Sequence, residues 1–237
     1  GPGIANLSSF FGTPDIYIAK YNSSGNYVWA FNIPAAGTNN EEVHAIKLDG
    51  QGNVYVAGAF GAGSFQVDFD PGPGTAYIPT QNGYTDAFVA KYTSNGAYLW
   101  AISMGGSNTD FAYGLEVDAA GNAYVTGRFK FTADFDPGPG IANLNTSGPY
   151  DAFVAKYNSS GLYQWAINIG GVGSLDEYGR DVAVDSYGNV YAVGDFVDTV
   201  DFDPGPSVAN LICDGATDGY VAKYNSSGLY QWAFKIG

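Results

Sequence analysis

One segment of sequence occurs four times in this chain, and this repeat constrains the fold more than any other feature. The copies read DIYIAKYNSSGNYVWAFNI, DAFVAKYTSNGAYLWAISM, DAFVAKYNSSGLYQWAINI and DGYVAKYNSSGLYQWAFKI. Their tryptophans lie 71, 65 and 67 residues apart, so the period is about 66 residues. A long fixed period predicts equivalent structural units, each of which packs against the next.

Two further segments recur three times each within this period. One reads HAIKLDGQGNVYVAG, YGLEVDAAGNAYVTG and RDVAVDSYGNVYAVG, and the other reads VDFDPGPG, ADFDPGPG and VDFDPGPS. Ile46 and Leu48 alternate with Ala45 and Lys47, and this period of two is typical of half-buried strands. No segment shows a helical period. Two hairpins per repeat predict an all-β chain of four-stranded antiparallel units.

The turns between these strands carry their own chemistry. Asn-Ser-Ser-Gly and Thr-Ser-Asn-Gly suit a four-residue turn with glycine at a positive φ angle. The Asp-x-x-Gly-Asn turns begin at Asp49, Asp118 and Asp185. We expect these carboxylates to cap backbone N–H groups of the turn.

Four-stranded units in tandem predict the blades of a β-propeller, in preference to a solenoid or a sandwich. With the Val-Ala-Val-Asp strand innermost, the blades are residues 41–106, 110–171 and 177–237, and residues 1–35 are the outer half of another. Residues 1–237 are then a single region of about 3.5 blades, an incomplete propeller. Residues 1–7 match residues 138–144, so we expect a fragment of a longer protein.

Charge and composition narrow the choice of partner. The net charge is −14, with 23 acidic residues against 9 basic ones that form no basic patch. Nucleic acid and anionic membranes are therefore not expected as partners. No apolar run is long enough to span a bilayer, so no membrane insertion is expected. Cys213 is the single cysteine, and a disulfide within the chain is impossible.

The repeated motifs resemble the seven-bladed β-propeller repeat family, often called SBBP repeats. The features that match are Asp-x-Phe-Val-x-Lys, the tryptophan of the next strand, Asp-x-x-Gly-Asn-x-Tyr-Val-x-Gly and the Asp-Phe-Asp-Pro-Gly run. The resemblance covers essentially the whole chain. It implies a propeller fold and a place in a large secreted or cell-surface bacterial protein, some of whose relatives look like adhesins.

The Asp-Phe-Asp-Pro-Gly run is the candidate metal site. In an extended strand its two aspartates share one face, and the phenylalanine between them points to the core. Two nearby carboxylates repel, so either a cation or backbone N–H groups must compensate them. Oxygen ligands around a turn suit Ca²⁺, although two carboxylates are fewer than the six to eight ligands it takes. Capping of the turn is the alternative. The six residues are Asp68, Asp70, Asp134, Asp136, Asp201 and Asp203.

Two further sets of acidic residues recur. Members of the first set begin a strand, where they either cap a turn or add a ligand: Asp15, Asp86, Asp151 and Asp218. Members of the second set precede the turn aspartate by eight residues, where they either form an acidic ring or are solvated: Glu41, Asp110 and Glu177.

The sequence offers little for catalysis. His44 is the single histidine and aligns with Tyr113 and Arg180 of the other repeats, so no Ser-His-Asp set is expected. With one cysteine and one histidine, zinc is not expected either. A hydrolase or lyase would have to use the one asymmetric cluster, which is Asp176, Glu177, Tyr178 and Arg180.

The leading hypothesis is a non-catalytic structural or adhesive propeller module, secreted or on the cell surface, that binds another protein chain, further repeats or a glycan. The alternative is a carbohydrate-binding propeller with one site per blade, in which exposed tryptophans bind sugar. We otherwise expect the four tryptophans to form inter-blade core.

Overall fold

Strands are the only regular secondary structure in the part of the chain that the structure describes. The computed structural model describes residues 6–8, 15–34, 41–61, 67–80, 85–171, 173 and 175–237. Parts of the predicted half-blade 1–35 and blade 41–106 lie outside these ranges, namely residues 1–5, 9–14, 35, 62–66 and 81–84. The described residues contain no helix, and hence none that could cross a membrane. The prediction of an all-β chain is confirmed.

Eighteen strands form in the described ranges. They are β1 (Ile16–Tyr21), β2 (Tyr27–Ile33), β3 (Glu42–Leu48), β4 (Val54–Gly61), β5 (Thr85–Tyr92), β6 (Tyr98–Gly106), β7 (Phe111–Val117), β8 (Ala123–Phe129), β9 (Thr132–Asp134), β10 (Asn143–Asn145), β11 (Asp151–Tyr157), β12 (Tyr163–Gly171), β13 (Tyr178–Val184), β14 (Val190–Phe196), β15 (Thr199–Asp201), β16 (Asn210–Ile212), β17 (Asp218–Tyr224) and β18 (Tyr230–Ile236).

The strands form one hairpin and three larger antiparallel sheets. The first hairpin pairs β1 with β2. Sheet 1 has the order β3-β4-β5-β6-β9-β10, sheet 2 has the order β7-β8-β11-β12-β15-β16, and sheet 3 has the order β13-β14-β17-β18. Each sheet thus starts with one repeat's Val-Ala-Val-Asp-type strand and continues through that repeat in sequence order.

The expectation of four strands per sheet is wrong for sheets 1 and 2. Each gains a short hairpin from the repeat that follows, because Gly105 and Gly106 of β6 pair with β9, and Gly170 and Gly171 of β12 pair with β15. The period-2 pattern did not show these strands because each is only three residues long. They carry the Asp-Phe-Asp-Pro-Gly run.

Each short hairpin connects two repeats. Phe135 is buried, as the alternation predicted, and packs against Phe153 of its own repeat with ring centroids 4.9 Å apart. The Tyr157 hydroxyl, also from that repeat, donates to the Phe135 carbonyl at 2.8 Å. The hairpin that extends sheet 1 is therefore held by residues of sheet 2, and the next repeat repeats the arrangement with Phe202 and Tyr224.

The predicted turns form. Each Asn-Ser-Ser-Gly or Thr-Ser-Asn-Gly turn has its glycine at a φ angle between 75° and 83°. Asp49 accepts hydrogen bonds from the Gln51 and Asn53 backbone N–H groups at 2.9 Å, and Asp118 and Asp185 do the same in their turns. The capping role of these three aspartates is confirmed.

The tryptophans lie between successive repeats. The indole N–H groups of Trp29, Trp100 and Trp165 donate to the first serine carbonyl in the hairpin turn of the following repeat, at 3.1 to 3.2 Å. The acceptors are Ser94, Ser159 and Ser226. Strand β7 in turn packs against both β3 and β13. Successive repeats therefore contact each other both through their first strands and through the tryptophans of their last long strands. These contacts are consistent with a β-propeller-like fold.

Candidate functional site

A β-bulge interrupts the first strand of each sheet at an equivalent position. The bulges fall between Val43 and Ala45, between Ala112 and Gly114, and between Gly179 and Asp181. A bulged residue leaves the ladder and its side chain is re-aimed. The three bulged residues are His44, Tyr113 and Arg180, which we call the bulge row.

The bulge row is continuous across the three repeats. The His44 ring centroid lies 5.1 Å from that of Tyr113, and the Arg180 guanidinium lies 5.9 Å from the same tyrosine ring. Burial lowers the pKa of His44, and the nearby Glu42 carboxylate opposes this effect only in part. His44 is therefore neutral at neutral pH, and Arg180 supplies the positive charge of the row.

A second arginine lies beside the row. The Arg128 guanidinium stacks 4.3 Å from the Tyr150 ring centroid and 4.7 Å from that of Tyr178. Its Nη1 donates to the Tyr178 hydroxyl at 2.6 Å and forms an ion pair with Asp176 at 3.2 Å. Cation–π contacts combined with an ion pair hold the guanidinium in one orientation, so little conformational entropy remains for binding to remove.

Arg180 is held in a similar way but is more exposed. Its Nε donates to an Asp195 carboxylate oxygen at 2.6 Å, and its guanidinium lies 4.2 Å from the Tyr178 ring centroid. This surface therefore alternates aromatic rings with fixed arginine–aspartate pairs.

The structure brings three residues of the predicted asymmetric cluster together, namely Asp176, Tyr178 and Arg180, and buries the fourth, Glu177. The Tyr178 hydroxyl donates to an Asp176 carboxylate oxygen at 3.3 Å, and the Arg180 guanidinium packs on the Tyr178 ring while its Nε pairs with Asp195. Glu177 is buried and faces Asp151 instead. The four side chains thus do not converge on one point as an acid–base set.

The sequence analysis did not single out Arg128 and Asp195, although a signal for them exists. Ala59, Arg128 and Asp195 occupy the same place in their repeats, one residue before a buried phenylalanine. Repeats that are otherwise closely alike thus differ here, as they do at the bulge row. Both variable positions lie together in the structure, and we call this surface, with Tyr178 and Asp176, the variable surface.

The recurring acidic residues are buried, namely Glu41, Asp110 and Glu177. The alternative that these side chains are solvated is therefore wrong. Asp110 accepts hydrogen bonds from the Gly106 and Lys130 backbone N–H groups, and burial nevertheless raises its pKa to about 6. Backbone capping at the junction between repeats is thus one role of this position.

Glu177 shows the stronger perturbation. Burial, followed by the nearby Asp151 carboxylate, raises the pKa of Glu177 to about 9. Asp151 itself accepts hydrogen bonds from the Ser147 backbone N–H and the Asn168 amide, at 3.0 and 2.8 Å. A neutral Glu177 beside Asp151 avoids two buried negative charges in contact.

The aspartates of the Asp-Phe-Asp-Pro-Gly run cap backbone N–H groups. Asp134 Oδ1 accepts from the Asp136 and Ala142 N–H groups at 3.0 and 2.8 Å, and Asp136 Oδ1 accepts from the Gly138 N–H at 2.8 Å. The other two copies make the same contacts through Asp68, Asp70, Asp201 and Asp203.

The same carboxylates are also the predicted calcium ligands. No cluster of three or more acidic, histidine or cysteine side chains suited to a metal occurs in the described ranges. The caps use one oxygen of each carboxylate. Calcium binding at these six aspartates stays a prediction.

Comparison with known proteins gives weak but consistent similarity. No family model matches the chain. An uncharacterized WD repeat-containing protein of Acanthamoeba polyphaga mimivirus is 27% identical over 239 residues, which cover 90% of this chain and 17% of that protein. The regulatory protein FlaEY of Caulobacter vibrioides is 27% identical over 153 residues, which cover 63% of this chain and 15% of that protein. The chain spans about a sixth of the length of these relatives.

The similarity to a WD repeat-containing protein suggests a β-propeller-type repeat protein.

Proposed function

We propose that this chain is a non-catalytic protein-interaction module and that its partner binds the variable surface. The observation that carries the proposal is the bulge row, in which three unlike residues at one repeat position, His44, Tyr113 and Arg180, contact one another across the three repeats. A surface that must recognise one partner needs such asymmetry, whereas the packing between repeats does not.

The chemistry of the variable surface suits a protein partner. Tyrosine and arginine are enriched at the energetic centres of protein interfaces, where rigid side chains lose little entropy on binding. Arg128 and Arg180 are both fixed by aspartates and tyrosine rings before any partner arrives. The two arginines are each paired with an aspartate, so the surface carries both charges. We expect a partner surface with both acidic and polar groups.

We further propose an architecture and a cellular setting for this chain. The three sheets are blades of a propeller of the SBBP type, and the parent is a large secreted or surface-exposed bacterial protein with a structural or adhesive role. The resemblance of the repeated motifs supports this setting. Carbohydrate binding by the tryptophans is less favoured, because the indoles of Trp29, Trp100 and Trp165 lie against turns of the next repeat.

The test is affinity capture followed by a binding measurement with the purified partner. We expect a captured protein that binds the wild-type chain, is lost with Tyr113→Ala/Arg180→Ala, and is retained with Tyr187→Ala. Tyr187 is a highly exposed tyrosine in the turn that Asp185 caps, so it serves as the matched control. Calorimetry should show at least about a tenfold loss of affinity for the double variant. A partner that binds all three chains equally would refute the proposed surface.

A further inference from the structure

Three tryptophans, Trp29, Trp100 and Trp165, are each covered by the hairpin turn of the next repeat, and the contact has the same geometry each time. In addition to the indole hydrogen bond, the glycine of the turn lies directly on the ring. A Cβ atom at Gly161 would lie 3.1 Å from the Trp100 ring, and one at Gly228 would lie 3.0 Å from the Trp165 ring. A Cβ atom would therefore press on the ring, and glycine is the residue that fits without a shift of the tryptophan.

Trp232 has the surroundings of a covered tryptophan but not the turn. Its ring makes an edge contact with Tyr191 at 6.1 Å, as the Trp165 ring does with Tyr124 at 6.4 Å. Among the described residues no turn lies over it, and Trp232 is 38% exposed. Phe234, which stacks on Trp232 at 5.4 Å, is 49% exposed.

The turn of the first hairpin, residues 22–25, has the shape of the covering turns but lies over no tryptophan among the described residues. Asn22 Oδ1 accepts from the Ser24 and Asn26 N–H groups, and Gly25 has a φ angle of 75°, so the turn has the shape of the other three. No described atom lies within 4 Å of a Cβ built on Gly25. The residues of this turn, Asn-Ser-Ser-Gly, are identical to those of the turns that cover Trp100 and Trp165.

A second contact between successive repeats, a pair of aromatic rings, lies beside the turn. Phe31 lies two residues after Trp29, and its ring packs 4.8 Å from that of the buried Tyr92 in the next repeat. Phe234 stands in the same relation to Trp232. Tyr21 occupies the position of Tyr92 in the first hairpin, and it is 60% exposed.

We propose that Trp232 and Phe234 of one copy of this chain bind the turn at residues 22–25 of a second copy. The Trp232 indole N–H donates to the Ser23 carbonyl, and Phe234 packs against Tyr21, as in the internal contacts. The two surfaces differ, so the contact is heterologous and produces head-to-tail chains or closed rings. The contact reproduces the outer half of a repeat–repeat contact, so the association belongs to the weak, concentration-dependent class.

Sedimentation velocity of the 237-residue chain between about 1 μM and about 1 mM tests the proposal. The wild-type average mass should rise above 24.9 kDa with concentration. Trp232→Ala and Tyr21→Ala should each remain near the monomer mass with an unchanged circular dichroism spectrum. Leu162→Ala removes an exposed apolar side chain in another turn and should associate as the wild type does.

A mixing experiment tests the head-to-tail geometry. Trp232→Ala keeps an intact turn, and Tyr21→Ala keeps an intact tryptophan, so an equimolar mixture should form one-to-one dimers and nothing larger. A wild-type chain that stays at 24.9 kDa throughout would overturn the proposal and leave the face to a different partner or a further repeat. Unchanged association of Trp232→Ala, or a mixture without dimers, would overturn it as well.

Discussion

Replacing Asp134 by alanine tests whether the short hairpins depend on carboxylate caps. Asp134 Oδ1 closes the hairpin by accepting from two backbone N–H groups, those of Asp136 and Ala142. A hydrogen bond to a charged group contributes about 1.5 kcal/mol at the lower end of the usual range, so the variant should lose about 3 kcal/mol. Asp136 accepts a single, exposed hydrogen bond, and Asp136→Ala should lose about 1 kcal/mol.

Thermal unfolding followed by circular dichroism measures the difference. For a chain of this size, 1 kcal/mol shifts the Tm by about 2 to 4 °C. We therefore expect a fall of about 6 to 12 °C for Asp134→Ala and about 2 to 4 °C for Asp136→Ala. Asp134→Asn keeps an oxygen acceptor and should lie between the wild type and Asp134→Ala. Equal shifts for the two alanine variants would refute the capping argument.

The same variants test the proposal that Ca²⁺ binds here. If the aspartates are calcium ligands, excess Ca²⁺ should raise the wild-type Tm by several degrees relative to EDTA, and Asp134→Asn, which changes one of the three copies, should reduce that rise. If they act as caps alone, Ca²⁺ and EDTA should give the same Tm for both proteins.

Two further predictions concern buried charge and turn glycines. In the native chain Glu177 keeps its proton to about pH 9, whereas unfolded glutamate ionises near 4.5, so stability should fall as pH rises between these values. Glu177→Gln should flatten the profile of Tm between pH 5 and pH 9, and parallel profiles would contradict this. Gly228→Ala should lose at least about 2 kcal/mol because a Cβ meets Trp165, and Gly25→Ala, with a similar φ, about 1 kcal/mol. Equal losses in urea unfolding would contradict the ring contact.

Local rules predicted the features that local chemistry determines. The turn glycines, the caps at Asp49 and its equivalents, and the burial of Phe135 all follow from turn preferences and from the period-2 pattern. These features depend on residues a few positions apart, so one repeat contains all the information they need.

The features that sequence reasoning missed depend on contacts between repeats. The pairing of Gly105 with β9 joins two repeats, and nothing within either segment indicates it. The burial of Glu177 beside Asp151 likewise arises only when the third sheet packs on the second. The bulge row was visible as an aligned set of unlike residues, but its meaning depended on a bulge that the strand pattern does not show.

Because of the short hairpins, one sequence repeat does not correspond to one sheet. Each hairpin lies between the second and third long strands of one repeat, yet it pairs with the sheet of the repeat before. A protein cut at the end of one sequence repeat would lose the outer edge of its last sheet and expose the paired edge of β6 or β12. Loss of the preceding repeat removes the strand with which β9 or β15 pairs, so neighbouring repeats should melt together. The repeats are thus interlocked, and we expect the chain to resist unravelling one repeat at a time.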